Sequence, residues 1–111
     1  MPTYYKILGQ VTPTANTNSN VYVVPAGYQA VVSTVSFCNA NTTANSTVTM
    51  YAVKDGEQPS NTNIITNQAI LPLKDTLIFT IGMTLAPGDR IVANTLRGDI
   101  GATVFGSESN L

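Results

Sequence analysis

The chain has 111 residues, a net charge of −1 and only 10% charged residues, with no histidine and one cysteine. This length suits one domain with a thin core, so we expect residues 1–111 to form a single domain that oligomerisation would help to stabilise. The few scattered basic residues argue against nucleic-acid binding, and the lack of histidine excludes Ser-His and Cys-His catalysis and the commonest zinc ligand.

Strand-length runs rich in β-branched and aromatic residues fill most of the sequence, and turn residues separate them. No segment of useful length has helical periodicity. In chain order, the predicted strands are about Thr3–Gln10, Asn20–Val24, Gln29–Asn39, Ser46–Val53, Asn63–Leu71, Asp75–Ile81, Arg90–Thr95 and Ile100–Gly106. About eight short strands joined by turns that contain Pro, Gly, Asn or Asp predict an all-β fold. The expected architecture is a single antiparallel β-sandwich, jelly-roll-like or immunoglobulin-like.

Alternation within these strands predicts which side chains form the core, because successive residues point to opposite faces of a sheet. The opposite faces carry mainly Thr and Ser, with Cys38 among them. The predicted core residues are Val31, Val35, Phe37, Val48, Met50, Leu77, Phe79, Ile81, Ile91 and Val104. Ala52, Ala93, Ile100 and Ala102 extend this set in the same strands.

The candidate reactive groups all have a structural interpretation. The acidic residues are predicted on turns, where charge also keeps strand edges from pairing, and not as a carboxylate pair in a cleft. "DGE" at Asp55–Glu57 supplies too few oxygens for calcium, and "RGD" at Arg97–Asp99 is interpreted as a turn. Cys38 has no basic neighbour in "VSFCNAN" that would lower its pKa. We therefore expect no catalytic residue, no cofactor and no metal site, and no enzymatic activity.

The sequence contains no apolar stretch long enough for a transmembrane helix. Its start, "MPTYYKILGQ", has neither the basic region nor the apolar region of a signal peptide. The lone Cys38 cannot build a disulfide framework within the chain. We therefore expect a protein made and kept inside a cell, without membrane contact.

Several motifs follow one another along nearly the whole chain. They are "YKILGQ" near the start, the turn "VPAG", the Asn-rich loop in "FCNANTTANSTV", the turn "LAPGDRI" and the closing "FGSE". In this order they resemble small virion proteins of tailed bacteriophages. The resemblance implies a β-sandwich structural protein of a phage particle, either a head decoration (cement) protein or a small tail or baseplate component.

Low charge suits a decoration protein, because uncharged Thr, Asn, Ser and Tyr suit broad interfaces that are repeated in many copies. A tail component would share this need but often carries extra segments for insertion into neighbours, and this chain has little beyond its strands, so we favour decoration over tail. The expected partners are further copies of the chain, most simply in a trimer, and the major capsid protein at the outer surface of the head. Tyr4 and Tyr5 should point to opposite sides of the first strand. The possible interface residues are Tyr4, Tyr5, Tyr22, Tyr28 and Tyr51. The competing alternative is a stand-alone carbohydrate-binding module with Tyr22, Tyr28 and Tyr51 as an aromatic platform.

Overall fold

Residues 3–111, as described by a computed structural model, form nine strands arranged in two sheets. The strands are β1 (Thr3–Val11), β2 (Ser19–Val23), β3 (Tyr28–Asn39), β4 (Ser46–Val53), β5 (Ile64–Leu71), β6 (Thr76–Phe79), β7 (Met83–Leu85), β8 (Arg90–Thr95) and β9 (Ile100–Asn110). The front sheet has the order β1-β9-β3-β6, with β7 also paired to β3, and the back sheet has the order β2-β8-β4-β5. All strand pairs are antiparallel. The predicted all-β antiparallel sandwich is therefore confirmed.

Two strands differ from their predicted bounds by more than one residue. The predicted strand Asp75–Ile81 is shorter, and a separate β7 follows it, because β3 is long enough to pair with both. The second half of β3, from Val35 to Cys38, pairs with β6, and the first half of β3, from Ala30 to Val32, pairs with β7. The last strand continues past the predicted end at Gly106 to Asn110.

The core lies between the two sheets and is built from aliphatic side chains around one central phenylalanine. Val35, Phe37, Val48, Met50, Ile91 and Val104 are completely buried there. Leu77, Phe79 and Ile81, which alternation also assigned to the core, are only partly buried and pack against its margin. They lie on or next to β6, an edge strand of the front sheet, so the back sheet covers them incompletely.

The prediction that Val31 belongs to the core was wrong, because β3 contains a β-bulge. Val31 is 48% exposed and points away from the back sheet. The register between β3 and β9 shifts between Val32 and Thr34. A bulge inserts one residue and reverses the alternation beyond it. Val32 therefore points inward before the bulge and Val35 after it.

The Asn-rich loop between β3 and β4 is held together by its own amides. The side-chain N–H groups of Asn39, which is fully buried, donate to the carbonyls of Ala44 (3.1 Å) and Leu71 (3.2 Å). The side-chain oxygen of Asn41 accepts from the backbone N–H groups of Thr43 and Ala44. The side-chain amides bond to backbone groups in place of backbone partners in this tight turn. The Asn-rich composition of the loop is therefore explained by its structure.

Arg97 and Asp99, which flank Gly98, are tied to this loop. The Arg97 Nε–H donates to the carbonyl of Asn45 at 3.0 Å, and the Asp99 carboxylate accepts from the side-chain amide of Asn41 at 2.9 Å. The two charged groups thus fasten the β8–β9 turn to the neighbouring loop.

Candidate functional site

The outer face of the front sheet carries a group of exposed apolar side chains. Tyr5 and Val31 lie in one row across β1, β9 and β3, and Ile7 and Phe105 lie in the next. Tyr5 is 85% exposed, and Ile78 on β6 is 59% exposed. A shallow groove of about 470 Å³ runs between Tyr5, Val31 and Phe105. An exposed apolar cluster of this kind marks an interaction surface on a soluble protein.

No charged side chain points outward from this sheet within residues 3–111. Lys6 lies on β1 between Tyr5 and Ile7 and also lines the groove, and its side chain is 50% exposed, but its ammonium group is paired with Glu108 on the inner side. We call this surface the uncharged face. Its residues are Thr3, Tyr5, Ile7 and Gln10 on β1, Gln29, Val31, Ser33, Ser36 and Cys38 on β3, Thr76 and Ile78 on β6, Thr84 on β7, and Thr103, Phe105, Ser107 and Ser109 on β9. Covering it requires no desolvation of a charge, so it can be buried against another protein at low cost.

A buried carboxylate fastens the edge strand β1 to both sheets. Glu108 on β9 is only 4% exposed. The Lys6 ammonium lies 2.8 Å from its Oε1 atom, and the hydroxyl of Tyr22 on β2 donates to its Oε2 atom at 2.5 Å. The interpretation that every acidic residue lies on a turn is therefore wrong for Glu108, because β9 is longer than predicted. This cluster fixes β1, and with it Tyr5 and Ile7 of the uncharged face.

The three ionisable groups shift each other's pKa values in consistent directions. Burial opposes ionisation of Glu108, but hydrogen bonds from Lys6 and Tyr22 outweigh it, so the pKa of Glu108 lies below its usual value. Burial and the hydrogen bond to Glu108 raise the pKa of Tyr22. The hydrogen bond to Glu108 also raises the pKa of Lys6. The cluster is therefore most stable with a charged Glu108 and Lys6 and a neutral Tyr22.

Acid should destabilise the fold through Glu108. Because its pKa is lower in the folded state, its contribution is present above the unfolded value of about 4.3 and is lost as the pH falls through the folded value. Glu108→Gln should flatten the fall in the free energy of unfolding below about pH 5. Urea unfolding midpoints measured across this range test the prediction. Glu57→Gln, which changes an exposed acid, should keep the wild-type profile, and a Glu108→Gln profile parallel to wild type would contradict our assignment.

The five tyrosines do not form one interface. Tyr5 lies on the uncharged face, whereas Tyr22 is buried and is unavailable to a partner. Tyr4 and Tyr5 do point to opposite sides of β1, but neither packs into the core, because the inner side of this edge strand is incompletely covered and leaves Tyr4 47% exposed. Tyr28 and Tyr51 are partly buried and lie on different sheets. The aromatic platform of Tyr22, Tyr28 and Tyr51 expected for a carbohydrate-binding module is therefore not formed.

The remaining candidate groups form no metal-binding cluster. Cys38 is a free, exposed thiol on the uncharged face. The Asp55 N–H donates to the Asp89 carboxylate at 3.0 Å, but residues 3–111 contain no cluster of three potential metal-ligating side chains. In the part of the chain that the structure describes, no helix has the length and apolarity needed to cross a membrane.

Comparisons with known proteins give low similarity. Neither the protein-family models nor the curated proteins contain a match to this chain. A chain from the structure of infectious bursal disease virus Gx strain matches 96% of this chain and 31% of its own length, at 8% identity and a TM-score of 0.49. Two crystal structures of a pentameric capsid protein isolated from metagenomic phage sequences each match 96% of this chain at 16% identity, with TM-scores of 0.39 and 0.37.

The chain spans less than two thirds of each of these proteins, since the matches cover 31%, 63% and 65% of their lengths. At TM-scores below 0.5, the likenesses establish neither a shared fold nor a shared function.

Proposed function

We propose that this chain is a structural protein of a phage particle, and more specifically a head decoration protein. In this proposal it forms a trimer and binds the major capsid protein at the outer surface of the head. It acts through binding, without catalysis and without a cofactor. The observation that carries the proposal is the uncharged face, and the order of motifs from "YKILGQ" to "FGSE" supports the phage assignment.

The occupant that suits the uncharged face best is another copy of the same chain. In a trimer each contact joins two different patches, so one part of the uncharged face and its rim meets a different part on the next copy, without repulsion between like charges. Four adjacent strands about 4.8 Å apart and about nine residues long give a flat area of roughly 600 Å². A standard interface buries about 800 Å² per partner, so this face supplies about three quarters of that area and its rim must supply the rest.

A trimer suits a shell because shells present local threefold junctions, where three identical contacts act together. Modest interfaces then combine into strong attachment without a large hydrophobic surface on the free protein. The scarcity of charged residues, 10% of the chain, is consistent with a surface that is largely covered after assembly.

Particles assembled without this protein test the proposal directly. They should still form, but they should release DNA at a lower temperature than complete particles, and added purified protein should restore the difference. In complete particles the protein should be present at a stoichiometry comparable to that of the shell protein. Normal heads that lack a functional tail would instead establish the tail alternative.

Val31→Glu tests the uncharged face within this proposal. It places a carboxylate at the centre of the expected contact, so self-association measured by sedimentation should weaken by at least about tenfold. Val31 is 48% exposed, so the free chain should remain folded.

Val23→Glu is the matched control, since Val23 is 44% exposed but lies on the back sheet. It should sediment like wild type. Equal behaviour of the two variants would contradict the assigned interface, and a wild-type chain that stays monomeric at every concentration would contradict the trimer.

A further inference from the structure

A concave, uncharged cleft lies on the outer face of the back sheet, on the opposite side of the sandwich from the uncharged face. Its volume is about 260 Å³. Strands β4, β5 and β8 and the loop between β1 and β2 contribute to it. We call it the polar cleft, and the side chains that define it are Asn16, Thr47, Tyr51, Asn67, Gln68 and Asn94.

Most of the amide groups in the polar cleft are unused by the fold. Within residues 3–111, the side-chain amides of Asn16, Asn67 and Gln68 form no hydrogen bond. Asn94 donates its amide N–H to Asn18 at 2.9 Å, which leaves its side-chain oxygen without a protein partner in the described chain. The cleft therefore presents several donors and acceptors that only a ligand or water can satisfy.

Two of these residues, Asn16 and Gln68, have unusual backbone conformations. Asn16 and Gln68 have positive φ angles of 57° and 50°. This left-handed region is uncommon for residues other than glycine, and for Gln more so than for Asn. The Asn16 N–H donates to the carbonyl of Thr95 at 2.8 Å, and the Gln68 N–H donates to the Thr49 hydroxyl at 3.0 Å. These bonds fix the main chain at the rim of the cleft, whereas the exposed side-chain amides of Asn16 and Gln68 remain free to bond to a ligand.

The chemistry of the lining narrows the class of ligand. No charged side chain lines the cleft, so phosphates, carboxylates and metal ions would meet no opposite charge. Each amide offers a donor and an acceptor side by side, which matches a pair of neighbouring hydroxyl groups. The Tyr51 ring adds an apolar surface with a polar tip.

We infer that the polar cleft binds a neutral saccharide, with one sugar ring seated against Tyr51 and its hydroxyl groups bonded to Asn67, Gln68 and Asn94. The volume equals that of about nine water molecules, which is sufficient for one ring. The cleft and the uncharged face are on opposite sides, so packing between copies at that face leaves the cleft open. The inference is independent of the phage assignment.

Nuclear magnetic resonance titration of the full chain tests the inference. The probes are glucose, galactose, mannose and N-acetylglucosamine, each up to about 50 mM, because a small ligand with few hydrogen bonds binds weakly. At least one of the four should shift the resonances of Asn67, Gln68 and Asn94. Asn67→Ala should weaken that binding by about fivefold or more, since it removes hydrogen bonds to the sugar.

Asn20→Ala is the matched control, because Asn20 is an exposed asparagine of the same sheet outside the cleft. It should leave the affinity unchanged. The inference is overturned if none of the four sugars shifts the cleft resonances, or if Asn67→Ala binds as tightly as Asn20→Ala. It is also overturned if these resonances shift with protein concentration alone, since the cleft would then be a contact between copies.

Discussion

Phe37→Ala is expected to lower the free energy of unfolding by roughly 3–5 kcal/mol. Phe37 is completely buried at the centre of the front sheet, and its ring packs edge to face against Phe79 with centroids 6.0 Å apart. Removing the ring loses its burial and leaves a cavity between two sheets that cannot move together freely. Phe79→Ala should have a smaller effect, because Phe79 lies at the margin of the core. Urea unfolding measures both changes.

Phe105→Ala is the matched control for Phe37→Ala. Phe105 lies on the same sheet but points outward and is 38% exposed. Its loss should cost about 1 kcal/mol or less in the free monomer, since surface substitutions have small effects. The comparison requires a protein concentration at which self-association through the uncharged face does not contribute. Equal losses for Phe37→Ala and Phe105→Ala would mean that the inward and outward faces of the sheet are assigned wrongly.

The sequence predicts which side chains point inward and which point outward only where the alternation along a strand is uninterrupted. In β4 the pattern around Val48 and Met50 is regular, and both side chains are buried. In β3 the adjacent Val31 and Val32 are chemically identical, so composition cannot tell which of them points inward. The bulge near Ser33 decides it, and this bulge is a feature of the pairing between β3 and the distant strand β9. Alternation alone therefore places Val31 on the wrong face.

The contact of Glu108 with Lys6 and Tyr22 could not be predicted from the sequence, for a different reason. Its carboxylate meets Tyr22, which is 86 residues away in sequence, and Lys6, which is farther still. The segment "SES" after Gly106 is polar and is typical of a fraying chain end. Only the pairing of β9 between β1 and β3 makes it a buried strand.

The polar cleft depends in the same way on register between distant strands. It combines Asn16 with residues of β4, β5 and β8, and the shifts in the β4–β5 pairing set the position of Gln68. A composition rich in Asn and Thr predicts that the protein has an uncharged, hydrogen-bonding surface, but it does not predict where on the fold that surface lies. The segment around Asn39 and Asn41 is equally polar, yet those amides bond to the backbone of their own loop and to Leu71 and Asp99.

Gly106→Ala is expected to destabilise the protein by about 3 kcal/mol or more, because no side chain fits at this position. Gly106 pairs with Val32 across β9 and β3. An added Cβ atom would lie 2.1 Å from the carbonyl oxygen of Val31 and 3.0 Å from the Cα atom of Val32. Both are backbone atoms, so β3 itself would have to move. That movement would displace the bulge that turns Val31 outward, and we expect self-association to weaken together with stability.

Gly101→Ala separates this steric effect from the general effect of replacing glycine in a strand. Gly101 lies on the same strand, but an added Cβ atom would meet nothing within 4 Å. Alanine restricts the unfolded chain, so Gly101→Ala should be neutral or stabilise the fold by up to about 1 kcal/mol. Urea unfolding gives the two free energies, and hydrogen exchange at the β3 amides shows whether the pairing opens locally. If Gly106→Ala matched Gly101→Ala in both measurements, the close approach of β9 to β3 at Gly106 would be refuted.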